Sequence, residues 1–306
     1  MRYGVAFGGI SIIIAITLIF AYLLLVVFPI FQSAKIDQES QFTLTTDQVS
    51  EPTAADSNEK ILHLAMEEQN EVGLRVTESG KLIFFDTRTG EIKLTHRPEL
   101  PANVTVTSFG NADPAQATIV LGLSNGSALV YQHKYIVTFP NDKRLITPVV
   151  LTPLGDSPIL LDTQDEALTH IDVQSSEEGI TLVAGTVDRR LLLVSFKKEE
   201  SLLEDTATFE RVGVELPYPA TALTHLLLDK DQRELYVASE GGNISYFDIQ
   251  DKTEPKLLQH LTVTDSGSEL TALESLTGGI SILVGTSNGH LAQWSLVRNE
   301  NNQEQL

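Results

Sequence analysis

The side chains with most chemistry to offer in this 306-residue chain are seven histidines, two strand-end aspartates and one knot of basic residues. His63, His170 and His225 each fall on an apolar strand that precedes a repeated motif; three imidazoles facing one channel would suit a metal ion. Their register is uneven. His63 and His225 sit 10 residues before their motifs and His170 sits 12 before, while the matching strand ELTALESL has Ala272 where ALTH has its histidine. The spacing therefore favours histidines that hydrogen-bond between neighbouring elements over a metal centre. Asp86 and Asp248 close the strands FFD and YFD, where a carboxylate caps the amides of the next turn. Lys134, Lys143 and Arg144 lie in residues 133–154, HKYIVTFPNDKRLITPVVLTPL, a basic spot on an acidic protein. That stretch breaks the repeat period, and an irregular insertion on a regular scaffold is a place for partner binding, with a lengthened solvated hairpin as the plainer alternative.

No residue set in the sequence argues for catalysis. Ser79-Gly80-Lys81 has Arg75 where a phosphate-binding loop needs its first glycine. G-x-S-x-G, H-E-x-x-H and the EF-hand spacing are all missing from the sequence. The chain has no cysteine, which excludes disulfides, thiolate metal sites, a cysteine nucleophile and lipoprotein acylation. The sequons at Asn103, Asn125 and Asn243 carry no weight in a bacterial host. The expectation is a non-enzyme with no cofactor and no metal.

What must position these residues is a recurring unit: an apolar strand, a short turn, then an alternating strand that ends near an aromatic. Its copies are GLRVTESGKLIFFD (73–86), IVLGLSNGSALVYQ (119–132), LVAGTVDRRLLLVSF (182–196), LYVASEGGNISYFD (235–248) and ILVGTSNGHLAQWS (282–295). Ser79-Gly80, Asn125-Gly126, Asp188-Arg189, Gly241-Gly242 and Asn288-Gly289 mark the turns, and Asn-Gly and Gly-Gly suit primed hairpins with positive φ. Successive turns are 46, 63, 53 and 47 residues apart. With a further strand before most copies, and another able to follow as in EIKLTH (91–96), this makes about four strands per period, the blade of an all-β, WD-repeat-like β-propeller. The extra strands KYIVTF, LITPVVLTP and PILLD could form a degenerate blade, so the expected count is five to seven, with six preferred. A pair of β-sandwiches or a β-solenoid is the alternative fold.

Composition sets the surroundings. Beyond Arg2 the chain carries 20 basic and 41 acidic side chains, which speaks against nucleic acid and against adsorption to anionic lipid, and favours a solvated surface or a basic partner. Residues 5–31 hold no charge and exceed in length both a bilayer's hydrocarbon core and the apolar stretch of a cleaved signal peptide. The reading is an uncleaved transmembrane anchor over 1–34, amino terminus in the cytoplasm, integral to the membrane by one helix. A flexible acidic linker follows over 35–60, then the propeller over 61–298 and a polar tail over 299–306.

Three stretches carry a family resemblance: GLSNGSALVYQHKYIVTFPNDKRLITP (122–148), LLVSFKKEESLL (192–203) and GGISILVGTSNGHLAQWSLVR (278–298). They resemble the amino-terminal part of a long-form bacterial phosphate-type ABC transporter permease, in which a first membrane helix precedes a large extracytoplasmic insert. The resemblance implies a single-pass protein of the bacterial inner membrane, with the bulk of the chain periplasmic. It further implies an interaction or regulatory role whose partners are other transporter subunits or a periplasmic solute-binding protein. Such permeases continue into further membrane helices. The expectation is therefore either the front part of a longer permease or a separate anchored protein that shares the domain, and no transport residue carries over. The alternative function is an independent envelope scaffold that organises membrane-protein assembly.

Overall fold

The computed structural model describes residues 2–31, 33, 41–42, 59–199, 208–218, 221–265, 267–276, 278–298 and 304–306. Most of the linker expected over 35–60 and part of the tail expected over 299–306 lie outside the described residues.

The amino-terminal unit is one helix, α1 (Arg2–Val27), which tightens into a 3₁₀ turn at Phe28–Phe31. Proline at position 29 removes an amide donor at this end. The span Phe7–Phe31 is long and apolar enough to cross a membrane, and none of it is covered by protein. Ser11 and Thr17 return their hydroxyls to the Phe7 and Ile13 carbonyls, satisfying polar groups that lipid could not.

The second unit is a β-propeller array built from consecutive antiparallel sheets. Blade one holds β1 (Ile61–Met66), β2 (Val72–Thr77), β3 (Leu82–Asp86) and β4 (Ile92–His96). Blade two holds β5 (Val106–Asn111), β6 (Thr118–Leu123), β7 (Ser127–Thr138), β8 (Leu145–Leu151) and β9 (Ile159–Leu160). Blade three holds β10 (Leu168–Ser175), β11 (Gly179–Thr186), β12 (Leu191–Glu199) and β13 (Thr208–Glu215). Blade four holds β14 (Leu223–Leu228), β15 (Glu234–Ser239), β16 (Asn243–Asp248) and β17 (Lys256–Thr262). Blade five holds β18 (Leu270–Ser275), β19 (Ser281–Thr286) and β20 (Leu291–Ser295). A short ladder of β21 (Val297–Arg298) and β22 (Glu304–Gln305) follows it.

Strand alternation explains how the sheets stack. Successive side chains of a strand point to opposite faces, so a central strand that is apolar throughout can serve two cores. In β6, Ile119, Leu121 and Leu123 pack against Leu74 and Phe84 of blade one, while Val120 packs with Val173 and Leu182 of blade three. In β11, Leu182 and Ala184 face blade two and Val183 faces Leu235 and Phe247 of blade four. A fourth core joins Tyr236 and Tyr246 of blade four to Ile282 and Val284 of blade five. Each fully buried Val, Leu or Phe in these seams contributes about 1.5–3 kcal/mol.

Two expectations are corrected. The strands KYIVTF, LITPVVLTP and PILLD do not form a separate blade. They complete blade two: β7 runs on past its blade, β8 pairs its far half from Gln132 to Thr138, and β9 pairs its start at Ser127 and Ala128. The hairpin turns also differ from the primed type, except that Gly241 and Gly242 both take positive φ. In blades one, three and five only the second turn residue is left-handed: Gly80, Arg189 and Gly289. Their amides donate to Thr77, Thr186 and Thr286, whose own amides bond to the carbonyls of Lys81, Arg190 and His290. That is a three-residue loop with a bulge, which demands positive φ once rather than twice.

Candidate functional site

The inner strands β5, β10, β14 and β18 lie side by side, and each of them, like β1, slips register once near its start. The slips fall at Leu62, Thr107, Thr169, Thr224 and Thr271; four of the five are threonines, three of them in the LTH, LTH and LTA triplets of the sequence. A bulge re-aims the next side chain. Thr107 and Ser108 both donate to the Leu168 carbonyl at 2.8 Å, tying blade two to blade three. The approach is close: a Cβ on Gly110 would stand 2.5 Å from the Ile171 carbonyl oxygen.

The bulges decide the fate of the three candidate histidines. His170 meets the Thr169 hydroxyl at 3.2 Å and lies close to the backbone of Thr224, and His225 lies close to that of Thr271, so each ring sits against the next blade. His63 stacks on Phe109 of blade two with ring centroids 5.2 Å apart. The imidazoles serve successive seams rather than one point. Among the described residues no group of three or more His, Asp or Glu is placed to hold a metal. Burial holds all three rings below the ordinary histidine value.

The seam between blades one and two gathers further histidines. His133 lies edge-on to Phe84 and Tyr135, and His96 edge-on to Tyr131 at 4.8 Å. Burial lowers the His133 pKa to about 4, with His63 adding to the effect, and raises Tyr131 and Tyr135 to about 12.

Behind the inner strands opens a cavity of about 680 Å³ lined by Asp113, Asp172, Asp229, Lys230, Tyr236 and Glu274 among others. Asp172 accepts from the Val173 and Leu228 amides at 2.8 Å, and burial lifts its pKa to about 7. Gln174 accepts from the Asp113 amide and donates to the Leu228 carbonyl. The cavity wall is thus a polar knot joining blades two, three and four, with both Asp172 oxygens already engaged.

Asp86 accepts from the amides of Arg88 and Thr89, and Asp248 from that of Gln250, the turn caps expected of them. One serine–histidine pair does occur: Ser245 and His260 meet at 2.8 Å as opposed cross-strand residues of β16 and β17. With Ser245 only 1 % exposed, substrate cannot reach it.

The basic insertion is the lengthened hairpin of β7 and β8. Lys134 and Lys143 are exposed, as are Ile136, Val137, Phe139 and Leu145 around the tip. Asn141 and Asp142 are both left-handed there, which fixes a tight end. Arg144 behaves differently from the two lysines: it pairs with Glu71 and donates to Gln69 at 3.1 Å, bracing the hairpin against blade one. Sequence reasoning missed a second clamp. Arg190 grips Asp162 through two bonds of 2.7 and 2.8 Å and Asp188 through a third of 2.7 Å. Its guanidinium holds the buried Asp162 carboxyl below the usual range. The partners lie 28 residues apart, and no local pattern marks them.

No protein-family model matches the chain, and no characterised protein matches it in sequence. Among solved structures, the chain is similar to the Cps50 (Swd1) β-propeller domain of Myceliophteria thermophila: TM-score 0.49, 11 % identity, covering 79 % of this chain and 67 % of that one. It is also similar to Raptor of Chaetomium thermophilum: TM-score 0.47, 10 % identity, covering 77 % of this chain and 19 % of that one. The fold assignment rests on the blades themselves: an all-β, WD-repeat-like propeller array preceded in the chain by one long apolar helix.

Proposed function

We propose that this protein is a membrane-anchored docking propeller of a phosphate-type ABC permease system. It sits in the bacterial inner membrane by one helix, with the blades in the periplasm. Its partners are other transporter subunits or a periplasmic solute-binding protein. The observation that carries the reading is the sequence resemblance of residues 122–148 and 278–298. The first of these stretches spans β7 and most of β8, the hairpin that departs from the blade period. Lys134, Lys143 and the apolar tip are the partner-facing groups, and Arg144 is a positioning residue. Basic groups on a chain of net charge −20 would select a locally acidic partner face.

The test is binding of the full chain, in detergent, to the cognate solute-binding protein, together with phosphate uptake in cells that lack the gene. Reversing both lysines, Lys134→Glu with Lys143→Glu, should weaken binding roughly tenfold or more. No binding and unchanged uptake would sink the proposal. A second reading is an independent envelope scaffold, resting on the same exposed apolar hairpin tip around Phe139 and Leu145. Co-purification of assembly factors without transporter subunits would select it.

A further inference from the structure

Three of the seven histidines meet at one seam. His63 and His96 of blade one and His133 of blade two each touch an aromatic ring across it: His63 on Phe109, His96 on Tyr131 and His133 on Phe84. Single histidines serve the later seams, His170 against blade four and His225 against blade five. The seam between blades one and two offers nothing to match an added proton. Among the described residues no carboxylate bonds any of the three rings. Glu67 bears on Tyr135 and is itself taken up by the amides of Gln69 and Glu71. Asp156 bears on His96 and Tyr131, and Glu99 on Tyr131. Arg75, Lys93 and Lys134 alternate with Leu74, Leu94 and His133 along their strands, so they point to the far faces. His133 Nδ1 and His96 Nε2 are buried with no acceptor. An imidazolium here would hold both a charge and an N–H without partners in an apolar seam, and parting the blades returns both to water.

Burial holds all three rings below the ordinary histidine value, His133 at about 4, so this contact weakens as the pH falls below 6.5. Between blades three and four the sign is opposite. Asp172 accepts from the Leu228 amide across that seam and is lifted to about 7, so acid firms the contact. Place in the array lets one seam open alone. Among the described residues blade one shares a buried core with blade two only, whereas blades two, three and four each share cores with two neighbours. An end unit of a stack leaves at the cost of one interface. The Arg144 brace crosses the same seam, from the foot of the β7–β8 hairpin to Glu71 and Gln69.

We propose that this seam is an acid-sensitive latch: protonation of His63, His96 and His133 undocks blade one from blade two and releases the Arg144 brace of the β7–β8 hairpin. With neutral rings the hairpin is held against blade one; with charged rings it is free of it. The latch goes beyond the permease reading and does not need it. Only its bearing on partner docking rests on that reading, in which the hairpin is the partner-facing element.

The chain has no cysteine, so introduced pairs can carry spin labels at defined places. One pair spans the latch at exposed positions, Arg88→Cys in blade one with Thr147→Cys in blade two; a reference pair, Glu178→Cys with Gln250→Cys, spans blades three and four. Distances are measured by pulsed electron resonance on the full chain in detergent, without any partner, so the outcome leaves the permease reading where it was. Between about pH 7.5 and about pH 5 the latch pair should lengthen and broaden while the reference pair keeps its distance. His133→Phe should move the midpoint of that change down by about one pH unit. His63→Phe, which keeps a ring on Phe109, should lower it as well. An unchanged latch distance at the lower pH, an equal change in both pairs, or a midpoint that neither variant moves overturns the proposal.

Discussion

Blades three and five are built from the same motif, yet only one of them is enclosed. LVAGTVDRRLLLVSF and ILVGTSNGHLAQWS align position for position: Gly185 with Gly285, Thr186 with Thr286, Arg190 with His290, Leu191 with Leu291. The hairpins match as well, for Leu191 pairs with Gly185 and Leu291 with Gly285. Surroundings separate them. Every residue of β11 is buried, and Leu191 is fully covered by blade four, whereas Leu291 stands 71 % exposed. Burial in a radial array is thus a property of place as much as of side chain, because each sheet borrows half of its core from a neighbour.

Breaking the comparison at its centre should give the largest effect. Leu191→Ala should destabilise the domain by about 2–5 kcal/mol, and Leu291→Ala by about 0.5 kcal/mol or less, measured by denaturant unfolding. Equal losses would show that the outer face of blade five is covered in solution.

Acid should act at a seam and not at the end of the array. The folded His133 pKa of about 4 lies below the ordinary 6.5, so the unfolded chain binds the extra proton. That stability is present above pH 6.5 and lost as the pH falls from 6.5 toward 4, by about 3 kcal/mol for His133. His63 and His96, also held low by burial, act in the same direction. Asp172, whose folded pKa is lifted to about 7, acts with the opposite sign in the same window, so the readout is the difference between chains: His133→Phe should lose less stability than the parent as the pH falls from 6.5 toward 4. An unchanged difference across that window would count against a neutral buried ring.

The clamp offers a finer contrast. Arg190→Ala strips a buried carboxylate of two charge-assisted bonds and should cost about 2 kcal/mol. His290→Ala, at the matching position, removes an exposed pair with Asp265 and should leave the midpoint where it was. Smallest of all is the turn. Arg189 occupies a left-handed site, φ 69°, that Gly289 fills without strain at φ 83°. Arg189→Gly should therefore gain about 0.5 kcal/mol, the relieved strain being partly offset by a freer unfolded chain.

Much of this architecture was legible beforehand because it rests on local chemistry. Period-2 alternation marked the strands, and the residue pairs from Ser79-Gly80 to Asn288-Gly289 marked all five hairpins. The run of uncharged residues over 5–31 marked a helix able to cross a membrane, which is where the structure places α1. The role of Asp86 and Asp248 as turn caps followed from position alone. The inter-blade histidines were half legible: ALTH recurs, but the bulge at its threonine, which aims His170 and His225 into the next blade, is a register effect that no single strand reveals.

The sequence by itself determined the repeat, its period and the acidity of its surface, since each depends on residues close together in the chain. Tertiary structure alone decided that 133–160 finishes blade two, that Arg144 and Arg190 are braces, and that β20 is left at an edge. Those outcomes turn on which sheet lies beside which, and partners such as Asp162 and Arg190, or Glu71 and Arg144, stand 28 and 73 residues apart. Side-chain chemistry says what a residue can bond to; only the stacking of the blades brings the partner within reach.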